Sequence, residues 1–352
     1  MNDLFETVSS AETQQLVSHG AVYAGYFCGV EMWTLPGAPG SVSRSEALAW
    51  LRGRKANVLS DDVREQTKQE KDAQMDSPLK WFGGKSYLAR RIVDLMPRHL
   101  HYVEPFAGSL AVLLERDPND QRLWVSECAQ RGGVSEVAND LHGQLTNFWR
   151  VLRDPASFAE FSQRCQATPL SRDEWERASE IQDTAGGNEI IKAWAFFVAC
   201  RQSRAGSFKG FTSLTRSRTR RGVNGNVSEW LGAVDMLPAV HARLQPVVIE
   251  NMDALKLINR EDTPDTLFYC DPPYVHGTRT AGGYDHEMSD EGHHNLLCLL
   301  RQCKGKVMIS GYRSPMYDDL LSRWTRHEFD MPNHAAGGDV KRRMTECVWT
   351  NW

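Results

Sequence analysis

The chain has 352 residues, long for one domain and short for three, so one large or two unequal domains are expected. With 41% hydrophobic and 24% charged residues it has side chains enough for a sizeable core, and no stretch is long and apolar enough to span a bilayer. A formal net charge of -4 excludes a globally basic nucleic-acid binder and leaves only a local basic patch for that purpose.

The opening "MNDLFETVSS" is polar and acidic and has no basic region followed by an apolar one, so it does not read as a secretory signal. The cysteines are scattered, with Cys298 and Cys303 the nearest pair and no C-x-x-C. Reduced thiols, no metal and a cytoplasmic location are the expectation. Residues 1–76 read as an N-terminal extension of unassigned role: two short strands within 20–37, a helix over 43–54, and a charged linker over 60–77. From Ser77 the texture changes. A glycine turn, "KWFGGKS", leads to a helix over 85–97 with Leu88, Ile92 and Leu95 on one face. "HYVEPFAGS" is a strand entering a turn, "LAVLLER" the helix behind it, and "VSEVANDLHGQLTNFWRVLRD" repeats the scheme. Residues 117–133 read as an insertion with no assigned role. Residues 153–245 break the pattern and are mainly helical. Then "PVVIEN" and "DTLFYC" are strands, "DEGHHNLLCLLRQC" a helix capped by Ser289, "KVMISGY" a strand, and "SPMYDDLLSRW" a helix capped by Ser314. The tail closes as a hairpin. Repeated strand–turn–helix units predict an α/β fold with a parallel sheet.

In such a sheet ligands sit beyond the carboxyl ends of the strands. Three segments end strands in this way: Glu104 to Ser109, Asn139-Asp140, and Asp271-Pro272-Pro273-Tyr274. The first is a small-residue turn that lets a ligand approach backbone. The second supplies an acid placed for a ribose diol. The third holds two acceptors, the Asp271 carboxylate and the Pro272 carbonyl, on a backbone restricted by proline beside the Tyr274 ring. That combination suits an exocyclic amine on a flat heteroaromatic ring. Accepting both amine hydrogens draws the nitrogen toward tetrahedral geometry and frees its lone pair.

In this order "KWFGGK" (80–85), "EPFAGS" (104–109), "ND" (139–140) and "DPPY" (271–274) resemble the Dam-type DNA adenine N6-methyltransferases that use S-adenosylmethionine. The tail "RMTECVWTN" is similar to that family's last strand. The resemblance covers roughly 78–352 and implies a Rossmann-like methyltransferase sheet built from 77–152 and 246–352, with a target-recognition region, 153–245, inserted between its halves. It implies that Asp271 and Pro272, followed by Pro273, bind the target amine and that Tyr274 stacks on a flipped base. It implies a cofactor site of Trp81, Lys85, Glu104, Phe106, Gly108, Asp140, Asp253 and Asp271. Trp81 and Lys85 would border both pockets, Phe106 and Gly108 cradle the methionine part, Asp140 take the ribose and Asp253 the adenine. Ser109 and Leu110 stand where more glycine is usual.

A base inside a duplex cannot present its amine, so it must be flipped out. Residues 201–222 carry Arg201, Arg204, Lys209, Arg216, Arg218, Arg220 and Arg221 with no acid, interleaved with Phe208 and Phe211, as phosphate clamping of double-stranded DNA requires. A monomer is expected. Each motif has a bland reading. Glu104 and Asp140 serve equally as helix caps, a charge run as a solvated loop, and His286, His293 and His294 as loop or helix-surface residues. A P-loop is excluded because Leu79 stands where it needs glycine. Competing functions are methylation of cytosine N4, an inactive DNA-binding relative, and an oxidoreductase, the last opposed by the absence of G-x-G-x-x-G.

Overall fold

The computed structural model describes residues 16–18, 21–27, 30–35, 41–43, 47–48, 75–81, 83–182, 184, 186–213, 219–220, 222–275, 287–332 and 343–352. The chain forms two compact units, Met1–Gln74 and Met75–Trp352. In the first, β1 (Val22–Phe27), β2 (Val30–Thr34) and β3 (Ser41–Ser43) make a three-stranded antiparallel sheet. Its small core holds Leu16, Ala21, Trp33, Leu35 and Ala47. The two expected strands are present. Of the helix expected over 43–54 only Ala47 and Leu48 are described, both helical, and the linker from 60 to 74 lies outside the described residues.

The second unit is built on a 7-stranded sheet. Its strands are β4 (His101–Glu104), β5 (Ser135–Asn139), β8 (Val248–Glu250), β9 (Thr266–Cys270), β10 (Lys306–Gly311), β11 (Thr325–Pro332) and β12 (Arg343–Thr350). The order is β11-β12-β10-β9-β4-β5-β8, parallel from β10 to β8. β12 runs antiparallel to β10 and to β11, the closing hairpin expected of the tail. Strand β9 is buried at every residue, as a strand covered on both faces must be.

Alternate side chains divide the core. Tyr102, Ala138, Leu267, Tyr269, Met308 and Val348 face one way. Val103, Val137, Phe268, Cys270, Val307, Ile309 and Trp349 face the other. The first face is covered by α1 (Ala89–Asp94), α2 (Ala111–Glu115), α4 (Gly143–Arg153) and the helices that follow it. The second is covered by α10 (Ala254–Glu261), α11 (Asp290–Leu300) and α12 (Pro315–Leu320). Ser289 and Ser314 cap the last two as expected, accepting from the backbone N–H groups of Gly292 and Tyr317.

Residues 153–245 hold α5 (Pro155–Ala167), α6 (Arg172–Gln182), α7 (Glu189–Gln202), a short pair of β6 (Thr219–Arg220) and β7 (Val223–Asn224), then α8 (Gly225–Asp235) and α9 (Leu237–Leu244). This region has no core of its own. Ala193 to Cys200 of α7 are buried without a break and belong to the same apolar cluster as the first sheet face. A helix apolar all round is an interior helix, and no described helix is long and apolar enough to cross a membrane.

The segment 117–133 forms a 3-10 turn, Gln121–Leu123, and α3 (Ser126–Arg131). The N–H of His99 donates to the Leu123 carbonyl and the Cys128 thiol to the His99 carbonyl. The insertion thus packs at the amino end of β4, away from the carboxyl edge. His293 departs from its expected place on the helix surface. It is fully buried, within hydrogen-bond distance of the Tyr317 hydroxyl at 3.1 Å, because it shares the inner face of α11 with Leu296, Leu297 and Leu300. His294 is exposed, and His286 lies outside the described residues.

Candidate active site

The connection after β4 leads to β5 on one side of the sheet, while the connection after β9 leads to β10 on the other. The crevice beyond β4 and β9 is therefore the topological switch point, where ligands of open α/β sheets bind. The three strand ends singled out above, Glu104-Pro105, Asn139-Asp140 and Cys270-Asp271, are neighbours there.

Backbone bonds make this edge rigid. The Ala107 N–H donates to the Asn139 carbonyl, and the Asn139 amide donates to the carbonyls of Pro105 and Met252. Asp140 accepts from the N–H groups of Gly108 and His142, both at 2.9 Å. That ties the Phe106–Ser109 turn to the end of β5. His142, not Asp140, caps α4, so the helix-cap reading of Asp140 does not hold. Nor does Glu104 cap α2, whose N-cap is Leu110. Glu104 is buried and accepts from the Tyr102 hydroxyl at 2.6 Å, and burial pushes its carboxyl up to about 8. Asp253 is exposed beyond β8 and caps α10 through the Lys256 N–H.

The glycine turn lies against the same edge. Gly83 holds φ +74°, and a Cβ on Gly84 would stand 3.1 Å from Ser109 Oγ. Gly108, at φ +48°, has the Trp81 ring at 3.3 Å from where its Cβ would be. Trp81 therefore lies directly over the turn. Leu110, where more glycine is usual, keeps a left-handed φ of 57° while fully buried. A leucine there costs about 1–2 kcal/mol in backbone strain, offset by a side chain placed in the core.

Lys85 joins these pieces to the Asp-Pro-Pro-Tyr segment. Its ammonium, 3% exposed, donates to the Gly83 carbonyl at 2.8 Å and to Asp271 Oδ2 at 2.9 Å. It also stands 4.7 Å from the centroid of the Tyr274 ring. Asp271 Oδ1 is 2.8 Å from the same ammonium but off the hydrogen-bond direction, and has no hydrogen-bond donor among the described residues. Burial raises the Asp271 carboxyl above its ordinary value, and Lys85 draws it back. Pro272 is buried beside it.

Tyr274 is 7% exposed, with Lys85 against its ring and Tyr312 edge-on at 4.7 Å and 75°. Its hydroxyl donates to Glu346 of β12 at 2.6 Å, and the Tyr87 hydroxyl donates to the other oxygen at 2.9 Å. No sequence motif singles out Tyr87, Tyr312 or Glu346. One signal is present in the chain, since Glu346 directly precedes the apolar run Cys347-Val348-Trp349 in "RMTECVWTN".

Of the basic segment, Arg204, Lys209 and Arg220 are exposed, while Arg216, Arg218 and Arg221 lie outside the described residues. Arg201 is half-buried and donates to the Glu229 carbonyl, which fits it to anchoring α8 rather than to a phosphate. Phe208, between Arg204 and Lys209, packs on Trp81 with ring centroids 6.2 Å apart and on Phe196 at 5.2 Å. Ala205 and Phe208 hold left-handed φ values of 53° and 59°. Together with Leu110 they are the non-glycine residues with positive φ among those described, and all three lie on segments that frame Trp81 or its turn. Gly206 makes the approach of this loop possible, since a Cβ there would overlap the Lys80 carbonyl. Gly206→Ala is expected to destabilise the protein by about 2–4 kcal/mol, from positive-φ strain and overpacking together, read as a lower urea midpoint. An unchanged midpoint would show that the loop is not held against Lys80.

A family model for D12 class N6 adenine-specific DNA methyltransferases matches residues 81–332, from Trp81 to the end of β11. The chain belongs to that family. No curated protein matches it. The activity of this DNA methyltransferase is methylation of adenine N6, and the Rossmann-like sheet expected from the sequence is the sheet observed. Cytosine N4 methylation and nicotinamide-dependent oxidoreduction are set aside by the same match. The matched span includes residues 153–245 and the Lys85, Asp271 and Tyr274 cluster. It leaves outside it the first compact unit and β12 with Glu346.

Proposed function

We propose that this methyltransferase takes its methyl group from S-adenosylmethionine and acts, as a monomer, on an adenine flipped out of double-stranded DNA. The observation that carries this reading is the Lys85–Asp271–Tyr274 cluster at the switch point, where Asp271 Oδ1 has no hydrogen-bond donor among the described residues. The cofactor fits the chain beside it. Gly108 and Phe106 lie in a tight turn roofed by Trp81, and the Asp140 carboxylate stands beside that turn for a ribose. Asp253 stands exposed one strand further on. Asp271 carries a negative charge into the crevice, which suits a cationic sulfonium. When bound, S-adenosylmethionine supplies an electrophilic methyl group.

The residues of the chain then act on the base. Asp271 and the Pro272 carbonyl accept the two N6 hydrogens, and Tyr274 offers its ring for stacking, worth about 1–3 kcal/mol. Lys85 keeps the buried carboxylate ionised until the amine replaces it, so the site is not left with an uncompensated charge. Flipping costs a few kcal/mol. Arg204, Lys209 and Arg220 offset it by binding phosphates, and Phe208 ties that loop to Trp81. A DNA substrate and free thiols fit a cytoplasmic, nucleoid-associated enzyme.

Incubation of the full chain with mixed-sequence duplex DNA and S-adenosylmethionine, then digestion to nucleosides and mass spectrometry, tests the reading. N6-methyladenine is expected. N4-methylcytosine would overturn the choice of base, and no methylated base would overturn the reading. Replacing Arg204, Lys209 and Arg220 by glutamine should flatten the dependence of log K for DNA on log salt by about 0.9 for each phosphate no longer neutralised. An unchanged slope would remove these residues from the interface.

A further inference from the structure

Glu346 lies on β12 at the carboxyl edge of the sheet, 4% exposed, and among the described residues no lysine, arginine or histidine pairs with it. A buried carboxyl without a cation is costly unless donors surround it. Here the donors are hydroxyls from two separate segments, Tyr87 from the stretch before α1 and Tyr274 from the loop after β9. These segments carry the parts of the site itself. Tyr87 is two residues from Lys85, and Tyr274 is three from Asp271.

We infer that Glu346 is a positioning residue for methyl transfer, its carboxyl group pinning the Tyr274 ring at the angle from which a flipped base is stacked. This rests on the reading of Tyr274 as the stacking ring. A tyrosine side chain turns about two torsions. Pro273 restricts the backbone at one end, and the bond to Glu346 fixes the hydroxyl at the other. Tyr312 meets the ring edge-on and limits its tilt from that side. Lys85 is a further neighbour of the ring, and it yields when the amine takes its place on Asp271. A base arriving there finds the plane of the ring already set, and a ring free to tilt would misplace the amine relative to Asp271.

The test is a double-substitution cycle on the full chain. Glu346→Gln keeps the shape but leaves one acceptor oxygen for two hydroxyls, and Tyr274→Phe removes the other end of the bond. Methyl transfer is followed under single turnover with S-adenosylmethionine and mixed-sequence duplex DNA. Cofactor affinity is read by calorimetry and the fold by thermal unfolding. Each single variant should lose about 10-fold to 10²-fold in transfer rate, the size of loss that small misplacements bring. The double variant should be no slower than the slower single, and cofactor affinity should stay within about twofold. Losses that multiply, or cofactor affinity falling in step with rate, would overturn the inference and leave Glu346 a structural residue only. Should Glu346→Gln fail to fold, the cycle is run with Tyr87→Phe and Tyr274→Phe, which keep the carboxyl. Non-multiplying losses support the inference there too, and multiplying ones overturn it. A wild-type chain that transfers no methyl group would instead overturn the proposed function.

Discussion

Asp271→Asn is expected to reduce methyl transfer by on the order of 10²–10³-fold or more, the size of effect seen when one preorganised polar group is removed from a reaction centre. The amide keeps the volume and one acceptor oxygen, but it places an NH2 against the Lys85 ammonium, where Asp271 now accepts at 2.9 Å. It also gives up the negative charge that draws the target amine. Asp271→Ala should be as inactive and, in addition, less stable. Lys85 is 3% exposed and would lose its carboxylate, and breaking a buried ion pair costs about 3–5 kcal/mol. Adding Lys85→Met to Asp271→Ala should recover much of that stability and none of the activity. Thermal unfolding run beside the methylation assay separates the two effects. Turnover retained by Asp271→Asn would sink the assignment of Asp271 as the amine acceptor.

Glu136→Ala is expected to be the most destabilising single change at a distance from the site. Glu136 of β5 accepts from Arg116 and Arg243 at 2.6 Å each, with Arg116 fully buried and Arg243 8% exposed. Arg116 also lies 4.7 Å from the Tyr102 ring, and Arg243 donates to the carbonyls of Leu113 and Arg116. The carboxylate thus fastens the last helix of the inserted region, α9, to the end of α2 and to the sheet. Its removal leaves two buried guanidinium groups facing each other with no anion between them. The loss is on the order of 3–5 kcal/mol. For a unit of this size that lowers Tm by roughly 10 °C. Arg116→Met, Glu136→Leu and Arg243→Met together should cost far less, because a buried charge cluster exchanged whole for apolar groups is often neutral. A fall of only a degree or two for Glu136→Ala would show that water reaches the cluster.

Much of the fold is legible in the chain because its signals are local. The run Thr266 to Cys270 reads as a strand covered on both faces, and all five residues are buried. Ser289 and Ser314 announce their helices, and Pro315 follows the second as a first-turn residue. The site is legible where it consists of strand ends. Asp140, Gly108 and Asp271 gather at the switch point because strands of a parallel sheet all end on the same side. His293 is expected at the surface and is buried instead, although a signal for burial exists. Its spacing to Leu296, Leu297 and Leu300 is that of an inner helix face, while His294 belongs to the outer one.

Residues 153–245 show a different limit. Their basic stretch and helical texture mark them off in the chain, yet Phe196, Phe197 and Trp230 pack in the same cluster as Tyr102 and Tyr269 of the sheet. Composition separates the region, and packing does not. The hydroxyls on Glu346 and the two arginines on Glu136 likewise come from segments with no periodic relation to one another.

The elements, their kind and the chemistry that each strand end carries are written locally in the chain, since propensity, capping and turn chemistry act over a few residues. Which ends become neighbours is set by the folded sheet. Lys85 and Asp271 stand 186 positions apart and meet only because β9 lies beside β4. Strand adjacency follows from how the whole sheet buries its two faces, and that leaves no local mark in the chain.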